Sequence, residues 1–165
     1  MRPQPVPRQL LGLVLWLLIT FVAAAIGAVA SVNAGPFYAA LVRPDWAPPG
    51  GVFAPVWTTL YILMALAAWL VWRVNGFRTA CGALTLFIIQ LALNALWSWL
   101  FFGWQLGALA FAEVLLLWLC IAATLIGFWR IHALAGVLLL PYFAWVSFAA
   151  ILNYTVWQLN PAALG

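Results

Sequence analysis

Five long apolar segments joined by short connections constrain the fold of this chain more than any other feature. They are residues 10–32, 53–74, 79–102, 106–128 and 133–156. A helix needs about 20 consecutive apolar residues to cross the hydrocarbon core of a bilayer, and each segment is long enough. Because lipid offers the backbone no hydrogen-bond partners, such segments cross as helices. The sequence therefore predicts an all-α integral membrane protein, a bundle of five transmembrane helices.

The composition excludes an ordinary soluble domain. Hydrophobic residues make up 69% of the chain and charged residues 5%, whereas a soluble domain is about half apolar and about a quarter charged. Five spans use nearly all of residues 1–165, so we expect one membrane domain and no separate catalytic domain. A cleaved signal peptide is the alternative for the first segment, but its apolar run is longer than the roughly 7 to 15 residues typical of signal peptides.

The distribution of arginine predicts the orientation. The chain has six basic and two acidic residues, too few and too dispersed for the basic surface that nucleic-acid binding requires. Across five spans, Arg43 falls on the side opposite the N-terminus, and the others fall on the N-terminal side: Arg2, Arg8, Arg73, Arg78 and Arg130. The positive-inside rule then places the N-terminus in the cytoplasm, and we expect a bacterial inner-membrane protein.

The first connection, residues 33–52, is the long one and is rich in proline and glycine. Proline lacks an amide donor and restrains the preceding residue toward extended geometry, so this loop cannot be helical throughout. It also carries Phe37, Tyr38 and Trp46. A long loop with aromatic residues among helix breakers is typical of a folded lid.

Polar and aromatic residues inside three spans recur at helical spacing and therefore share helix faces. These stripes are Trp57 and Tyr61; Gln90, Asn94, Trp97, Ser98 and Phe101; and Tyr142, Trp145, Ala149, Leu152 and Asn153. Because polar groups cost free energy in lipid, the faces should point into the bundle. The amides could simply join neighbouring helices, and the deep tryptophans could either pack or stack on a ligand. From the residues alone, both interpretations stay open.

Several motifs in these segments resemble one known family. They are WAPP at 46–49, FAPVWTTLY at 53–61, QLALNALWS at 90–98, FFG at 101–103, PYFAW at 141–145 and LNY at 152–154. In this order and spacing, over about residues 35–157, they resemble the TspO/MBR family of tryptophan-rich sensory and translocator proteins. The resemblance implies a five-helix bundle, commonly a homodimer. It also implies binding of tetrapyrroles such as protoporphyrin IX and haem, of sterols, and of synthetic isoquinoline or benzodiazepine ligands.

The resemblance further implies which residues bind the ligand. The pocket of the family is lined by the first loop and the bundle interior, which here gives Tyr38, Trp46, Trp57, Asn94, Trp97, Trp145, Ala149 and Leu152. The implied function is a receptor or carrier that regulates porphyrin metabolism or stress responses, with porphyrin or haem as ligand and no required cofactor. No basic residue closely follows Tyr154, so the sterol pattern of some members is incomplete here.

The chemistry of a porphyrin fits such a pocket. The macrocycle is flat and apolar and carries propionates at one edge, so it requires aromatic faces and a polar or cationic rim. Arg43 could supply the rim. Haem ligation is not expected, because His132 belongs to a turn on the side opposite the first loop. No catalytic or metal-binding residues are predicted. The alternatives are an enzyme that degrades porphyrin with light and oxygen, which the family has been credited with, and a membrane scaffold.

Small residues at helical spacing favour close approach of helices and a homodimer. The candidate pairs are Ala23 with Gly27, Ala24 with Ala28, and Ala108 with Ala112. The resemblance implies that the third span is the interface, which adds Gly82 and Ala83 as candidates. Glu113 is the acidic residue inside a span. We expect it to find a partner on a neighbouring helix or to stay wet near the interface; the alternative is a proton or substrate path.

Overall fold

The computed structural model describes residues 5–165, with the backbone alone for residues 75, 78 and 79. Within this part of the chain the secondary structure is helical, and five helices are long and apolar enough to cross a membrane. The helices are α1 (Val6–Ala30), α2 (Ala34–Ala40), α3 (Phe53–Thr79), α4 (Cys81–Ser98), α5 (Gly107–Ile131), α6 (Ala133–Leu159) and α7 (Pro161–Leu164). The predicted all-α bundle of five transmembrane helices is confirmed.

The ends of the helices differ from the predicted spans by several residues. The helix predicted over 53–74 continues to Thr79, with a break at Gly76, where φ is 65°. Glycine adopts this left-handed conformation without the steric cost that a Cβ would bring. The helix predicted over 79–102 begins at Cys81 and ends at Ser98, after which Trp99–Gly103 form a wider π-helical turn. The break at Gly76 lies close to the predicted end at residue 74, where polar residues begin. Trp99–Gly103, in contrast, contain no polar side chain, so hydropathy alone did not mark the end of α4.

The five long helices form a closed ring in the order α1, α3, α6, α5, α4. Each of these neighbours packs on the next, and α4 returns to α1. Close approach depends on small residues, because bulky ones would hold the backbones apart. At Gly12 of α1, the ring of Trp72 from α3 occupies the space that a Cβ would need. On α3 itself, Ala65, Ala67 and Ala68 are fully buried.

The buried residues form two apolar clusters. The larger one lies between the long helices and includes Met64, Phe87, Phe128 and Tyr142. The smaller one lies at the end of the bundle that carries the first loop, and it joins Leu41 of the loop to residues of the helices such as Leu152. The loop is therefore part of the folded core.

The arginines that the structure describes lie at the ends of the long helices. Arg8 is near the start of α1, Arg73 near the end of α3 and Arg130 near the end of α5. Because successive spans alternate in direction, these three share one side, and Arg43 in the loop lies on the other. Arg2 and the side chain of Arg78 lie outside the part of the chain that the structure describes.

Candidate functional site

The first loop is folded over one end of the bundle. Its helix α2 places Tyr38 inward, where 6% of the side chain is exposed. The Tyr38 hydroxyl donates to the carbonyl of Pro48 at 3.2 Å, and its ring lies 5.4 Å from that of Phe53 at the start of α3. Leu41 is also buried. Residues 33–52 thus form an ordered cap, as the sequence predicted.

One side chain at the end of α6 joins the cap to the bundle. The Asn160 amide oxygen accepts from the backbone N–H of Val42 at 2.8 Å, and its Nδ2 donates to the carbonyl of Val42 at 2.8 Å. Nδ2 also donates to the carbonyl of Val156 at 2.8 Å. Sequence analysis missed Asn160, because an asparagine near the C-terminus carries no periodic signal, and its partner lies far away in the sequence.

A cation stands at the outer edge of the cap. The Arg43 guanidinium carbon lies 4.9 Å from the centre of the Tyr38 ring, and the side chain of Arg43 is exposed. Burial raises the pKa of the Tyr38 hydroxyl above its usual value of about 10, and the neighbouring Arg43 charge and hydrogen bond oppose that shift. Tyr38 is therefore a neutral hydrogen-bond donor at physiological pH.

Five aromatic side chains, two from the cap and three from α3 and α6, form a continuous series, which we call the aromatic cluster. Tyr38 contacts Phe53 at 5.4 Å between ring centres, Phe53 contacts Trp145 at 5.9 Å, Trp145 contacts Phe148 at 5.5 Å, and Phe148 contacts Trp46 at 5.9 Å. The structure thus brings together three of the predicted site residues: Tyr38, Trp46 and Trp145. Phe53 and Phe148 were not among them, although Phe148 follows Trp145 by three residues and so shares its helix face.

Trp145 is the member of this cluster with an unused polar group. Its Nε1 is buried and has no hydrogen-bond acceptor among the described residues. A buried donor without an acceptor costs about 1 to 3 kcal/mol. The indole N–H could therefore bind an acceptor on a ligand.

A groove between α3 and α6 extends from the aromatic cluster to the outer surface of the bundle. Its volume is about 570 Å³, within the range of about 300 to 1,000 Å³ usual for small-molecule sites. We call it the α3/α6 groove. It is lined by Pro55, Val56, Thr59, Leu60, Leu63, Pro141, Ala144, Trp145 and Phe148.

Deeper in the bundle, four polar side chains from three helices form a hydrogen-bonded group that we call the polar network. Tyr61 donates to the Asn94 amide oxygen at 2.6 Å, and Asn94 Nδ2 donates to the Tyr142 hydroxyl at 3.1 Å. Tyr142 in turn donates to the Gln90 amide oxygen at 2.7 Å. All four side chains are buried. Asn94, a predicted ligand contact, therefore already joins α3, α4 and α6.

Trp57 lies between the aromatic cluster and the polar network. Its ring is 5.6 Å from that of Tyr61 and 6.2 Å from that of Tyr142, so it packs on the polar network. The Trp57 side chain is half-buried, and it lies one helical turn after Phe53, a member of the aromatic cluster.

The remaining predicted residues lie nearer the α4–α5 connection. Trp97 Nε1 donates to the Asn153 amide oxygen at 3.0 Å, and the Trp97 ring stacks on Phe101 at 5.3 Å. Leu152 is buried in the smaller apolar cluster, and Ala149 is half-buried on α6. Trp97 thus has a hydrogen-bond partner and a stacking partner within the protein, unlike Trp145.

Glu113 does not have the environment that we expected. Only 6% of it is exposed, and neither carboxyl oxygen has a hydrogen-bond partner among the described residues. The expectation of a partner or a wet position is therefore wrong. The reason is that Glu113 lies on the face of α5 that is packed inside the bundle, beside the buried Val114.

Comparison with known proteins identifies the relatives of the chain. The sequence profile of the TspO/MBR family matches residues 14–158. The tryptophan-rich protein TspO of Chlorobaculum tepidum is 43% identical over 129 residues, which are 76% of this chain and 80% of that protein. The tryptophan-rich sensory protein of Cereibacter sphaeroides is 40% identical over 149 residues, 88% of this chain and 92% of that protein. The human translocator protein is 42% identical over 126 residues, 75% of each chain.

Proposed function

The chain belongs to the TspO/MBR family, and we propose that it is a membrane receptor or carrier for tetrapyrroles such as protoporphyrin IX and haem. In this role it would regulate porphyrin metabolism or stress responses. Relatives named tryptophan-rich sensory protein and translocator protein support a function in sensing or in moving a ligand.

The aromatic cluster, where the cap meets α3 and α6, carries the proposal. A porphyrin gains contact area and stacking energy from aromatic faces, and the cluster offers five rings in series. The exposed Arg43 guanidinium stands over the ring of Tyr38, at the start of that series. It would pair there with a propionate, while the macrocycle lies on Trp145.

The other predicted contacts take different roles in this proposal. Trp57 would line the inner wall, since it lies one turn from Phe53, and Ala149 would leave space for the ligand beside Trp145. Asn94, Trp97 and Leu152 would support the site from behind, because their hydrogen bonds or packing are already complete within the protein. No residue of this site needs to ligate iron.

The test is a titration of protoporphyrin IX into the purified protein in detergent, followed by quenching of tryptophan fluorescence. We expect saturable quenching at a stoichiometry of one porphyrin per chain. Arg43→Gln should weaken binding of protoporphyrin IX more than binding of its dimethyl ester, because the ester has no propionate charge to pair. Quenching that rises linearly without saturation would contradict the proposal.

A light-driven porphyrin-degrading enzyme is the second candidate, and one observation favours it. Trp145 has an indole N–H with no acceptor among the described residues. Its indole could give one electron to an excited porphyrin and lose the N–H proton, the reduced porphyrin would pass the electron to dissolved dioxygen, and the superoxide formed would be the oxidant that attacks the macrocycle. Illumination in air should then bleach bound protoporphyrin in the parent protein but not in Trp145→Phe. Equal bleaching in both proteins would leave only the binding function.

The homodimer and the orientation also belong to this proposal. Gly27 packs inside the protomer, where a Cβ would lie 3.1 Å from the Ser98 hydroxyl, so the Ala23–Gly27 pair is not free for a partner. Gly82 has open space around it on the exposed face of α4, and that face is our candidate for the interface. Cross-linking in native membranes should give a dimer. We place the N-terminus in the cytoplasm of a bacterium, which a protease-accessibility assay would test.

A further inference from the structure

The cap closes the loop end of the site with contacts that a ligand from water would have to break. The Asn160 side chain holds the backbone of Val42 through two hydrogen bonds of 2.8 Å. Tyr38 is bonded to Pro48, and the Trp46 ring packs on Phe148 at 5.9 Å. Opening the cap would therefore disrupt hydrogen bonds, apolar burial and ring contacts together.

The α3/α6 groove, in contrast, is open on the outer face of the bundle. Pro55, Thr59 and Ala144 are exposed at its outer edge, Trp145 is half-buried, and Leu60 is buried at its floor. Side-chain exposure therefore decreases from the outer surface of the bundle, which lipid covers, toward the aromatic cluster. A molecule dissolved in the bilayer could reach Trp145 along it while every hydrogen bond of the cap stays in place.

The wall of the groove is chemically suited to an apolar molecule that carries an acceptor. Among its lining residues only Thr59 and Trp145 have polar side-chain groups. The Thr59 hydroxyl already donates to the Pro55 carbonyl at 3.0 Å, whereas the Trp145 N–H has no acceptor within the described residues. The groove therefore presents an apolar path that ends at a residue with one unused donor.

Each of the two helices contributes a proline to the groove. Pro141 lies inside α6 and lines the groove. Because proline has no N–H and its ring clashes with the preceding turn, a proline inside a helix bends it. Pro55 lies in the first turn of α3, where a missing N–H costs little. Neither helix therefore offers a backbone N–H at these two positions of the groove.

We infer that the α3/α6 groove is a lateral entrance, through which flat apolar molecules bearing a hydrogen-bond acceptor pass from the bilayer to Trp145. The inference rests on the proposed function, because the molecule that enters through the groove is the proposed tetrapyrrole ligand. It goes further in naming the membrane, not the aqueous phase, as the source of the ligand, and α3 and α6 as the helices it passes between.

The experiment blocks the groove with a matched pair of variants. Thr58 and Thr59 are adjacent on α3, both exposed, and each hydroxyl donates to the carbonyl four residues earlier. Only Thr59 lines the groove. Thr59→Phe should narrow it, and Thr58→Phe should not. On α6, Ala144→Phe and Leu140→Phe form a second pair, since Ala144 lines the groove and Leu140 is exposed elsewhere.

The first readout is the kinetics of protoporphyrin IX transfer from preloaded vesicles to the protein in liposomes. A blocked entrance slows association and dissociation alike, so Thr59→Phe and Ala144→Phe should lower both rate constants by about tenfold or more and leave Kd nearly unchanged. The two control variants should behave like the parent. Equal rates in all five proteins, or a weaker Kd with unchanged association, would overturn the inference.

A second readout does not use porphyrin. Brominated phosphatidylcholine quenches tryptophans that lipid chains reach, and the difference between the parent and Trp145→Phe isolates the contribution of Trp145. The brominated lipid should quench Trp145 fluorescence in the parent and in Thr58→Phe. In Thr59→Phe, Trp145 fluorescence should be protected from quenching. If protoporphyrin fails to bind while this pattern holds, the proposed ligand is wrong and the entrance stands. If Trp145 is not quenched in the parent, the entrance is wrong.

Discussion

The polar network consists of two tyrosines and two amides, whereas the aromatic cluster consists of one tyrosine, two phenylalanines and two tryptophans. The two groups also differ in how far their hydrogen-bonding groups are satisfied within the protein. In the network, Tyr61, Asn94, Tyr142 and Gln90 bond to one another across three helices, and all are buried. In the cluster, the Trp145 N–H has no acceptor in the part of the chain that the structure describes, Trp46 is exposed, and a groove reaches the rings from outside. A complete set of hydrogen bonds indicates a structural role, and an incomplete set beside open space indicates a binding role.

The largest effect should come from removing the centre of the polar network. Tyr142→Ala deletes a fully buried ring and leaves Asn94 Nδ2 and the Gln90 amide oxygen without partners. We expect a loss of roughly 3 to 5 kcal/mol in stability, from the cavity and the unpaired amides together. Thermal unfolding in detergent without ligand measures it. Tyr154→Ala, at an exposed position, is the control, and equal melting temperatures for the two variants would contradict the structural role.

Within the aromatic cluster, Trp145→Ala should act mainly on binding. Loss of the stacking surface should weaken protoporphyrin binding by roughly 1 to 3 kcal/mol, the range found for other aromatic platforms. The unfolding temperature should change less than in Tyr142→Ala, because Trp145 is only half-buried. Fluorescence titration gives the dissociation constant. Trp104→Ala, in the exposed turn before α5, should titrate like the parent.

Asn94→Leu tests whether the two regions are separate. If Asn94 acts only in the network, the variant should lose about 1 to 3 kcal/mol of stability, because the Tyr61 hydroxyl loses its acceptor. Protoporphyrin affinity should then stay close to that of the parent. If Asn94 also orients the ligand, the relative affinities for protoporphyrin IX and haem should change. A competition titration distinguishes these results and decides whether the pocket extends to the network.

The smallest effect should come from the cap. Replacing Pro48 and Pro49 by glycine increases the freedom of the loop in its unbound state, at a cost of about 0.4 to 1 kcal/mol per proline. Because binding needs the ordered cap over the aromatic cluster, the affinity for protoporphyrin should fall by a corresponding factor. Pro5→Gly, before α1, is the control. An unchanged dissociation constant would identify the loop as a simple connection.

Much of the fold could be predicted because the membrane imposes it. The number of spans and their helical character depend on the length of apolar runs and on the need to satisfy backbone groups in lipid. The motif-bearing residues on α4 and α6 were placed on inward faces by spacing alone, and Gln90, Asn94, Tyr142 and Asn153 are indeed buried. The end of α4 was less predictable, since the π-helical turn after Ser98 lies within apolar sequence.

The sequence by itself determined that this chain crosses a membrane as five helices, which faces point inward and which family it resembles. Only the tertiary structure decided that Asn94 is hydrogen-bonded on both sides and that Asn160 holds the cap. It also decided that Trp145 Nε1 and the Glu113 carboxylate are buried with no hydrogen-bond partner among the side chains that the structure describes. The physical reason is that hydropathy and periodicity are properties of one segment. Whether a polar group is satisfied depends on atoms from other helices, and no single segment contains that information.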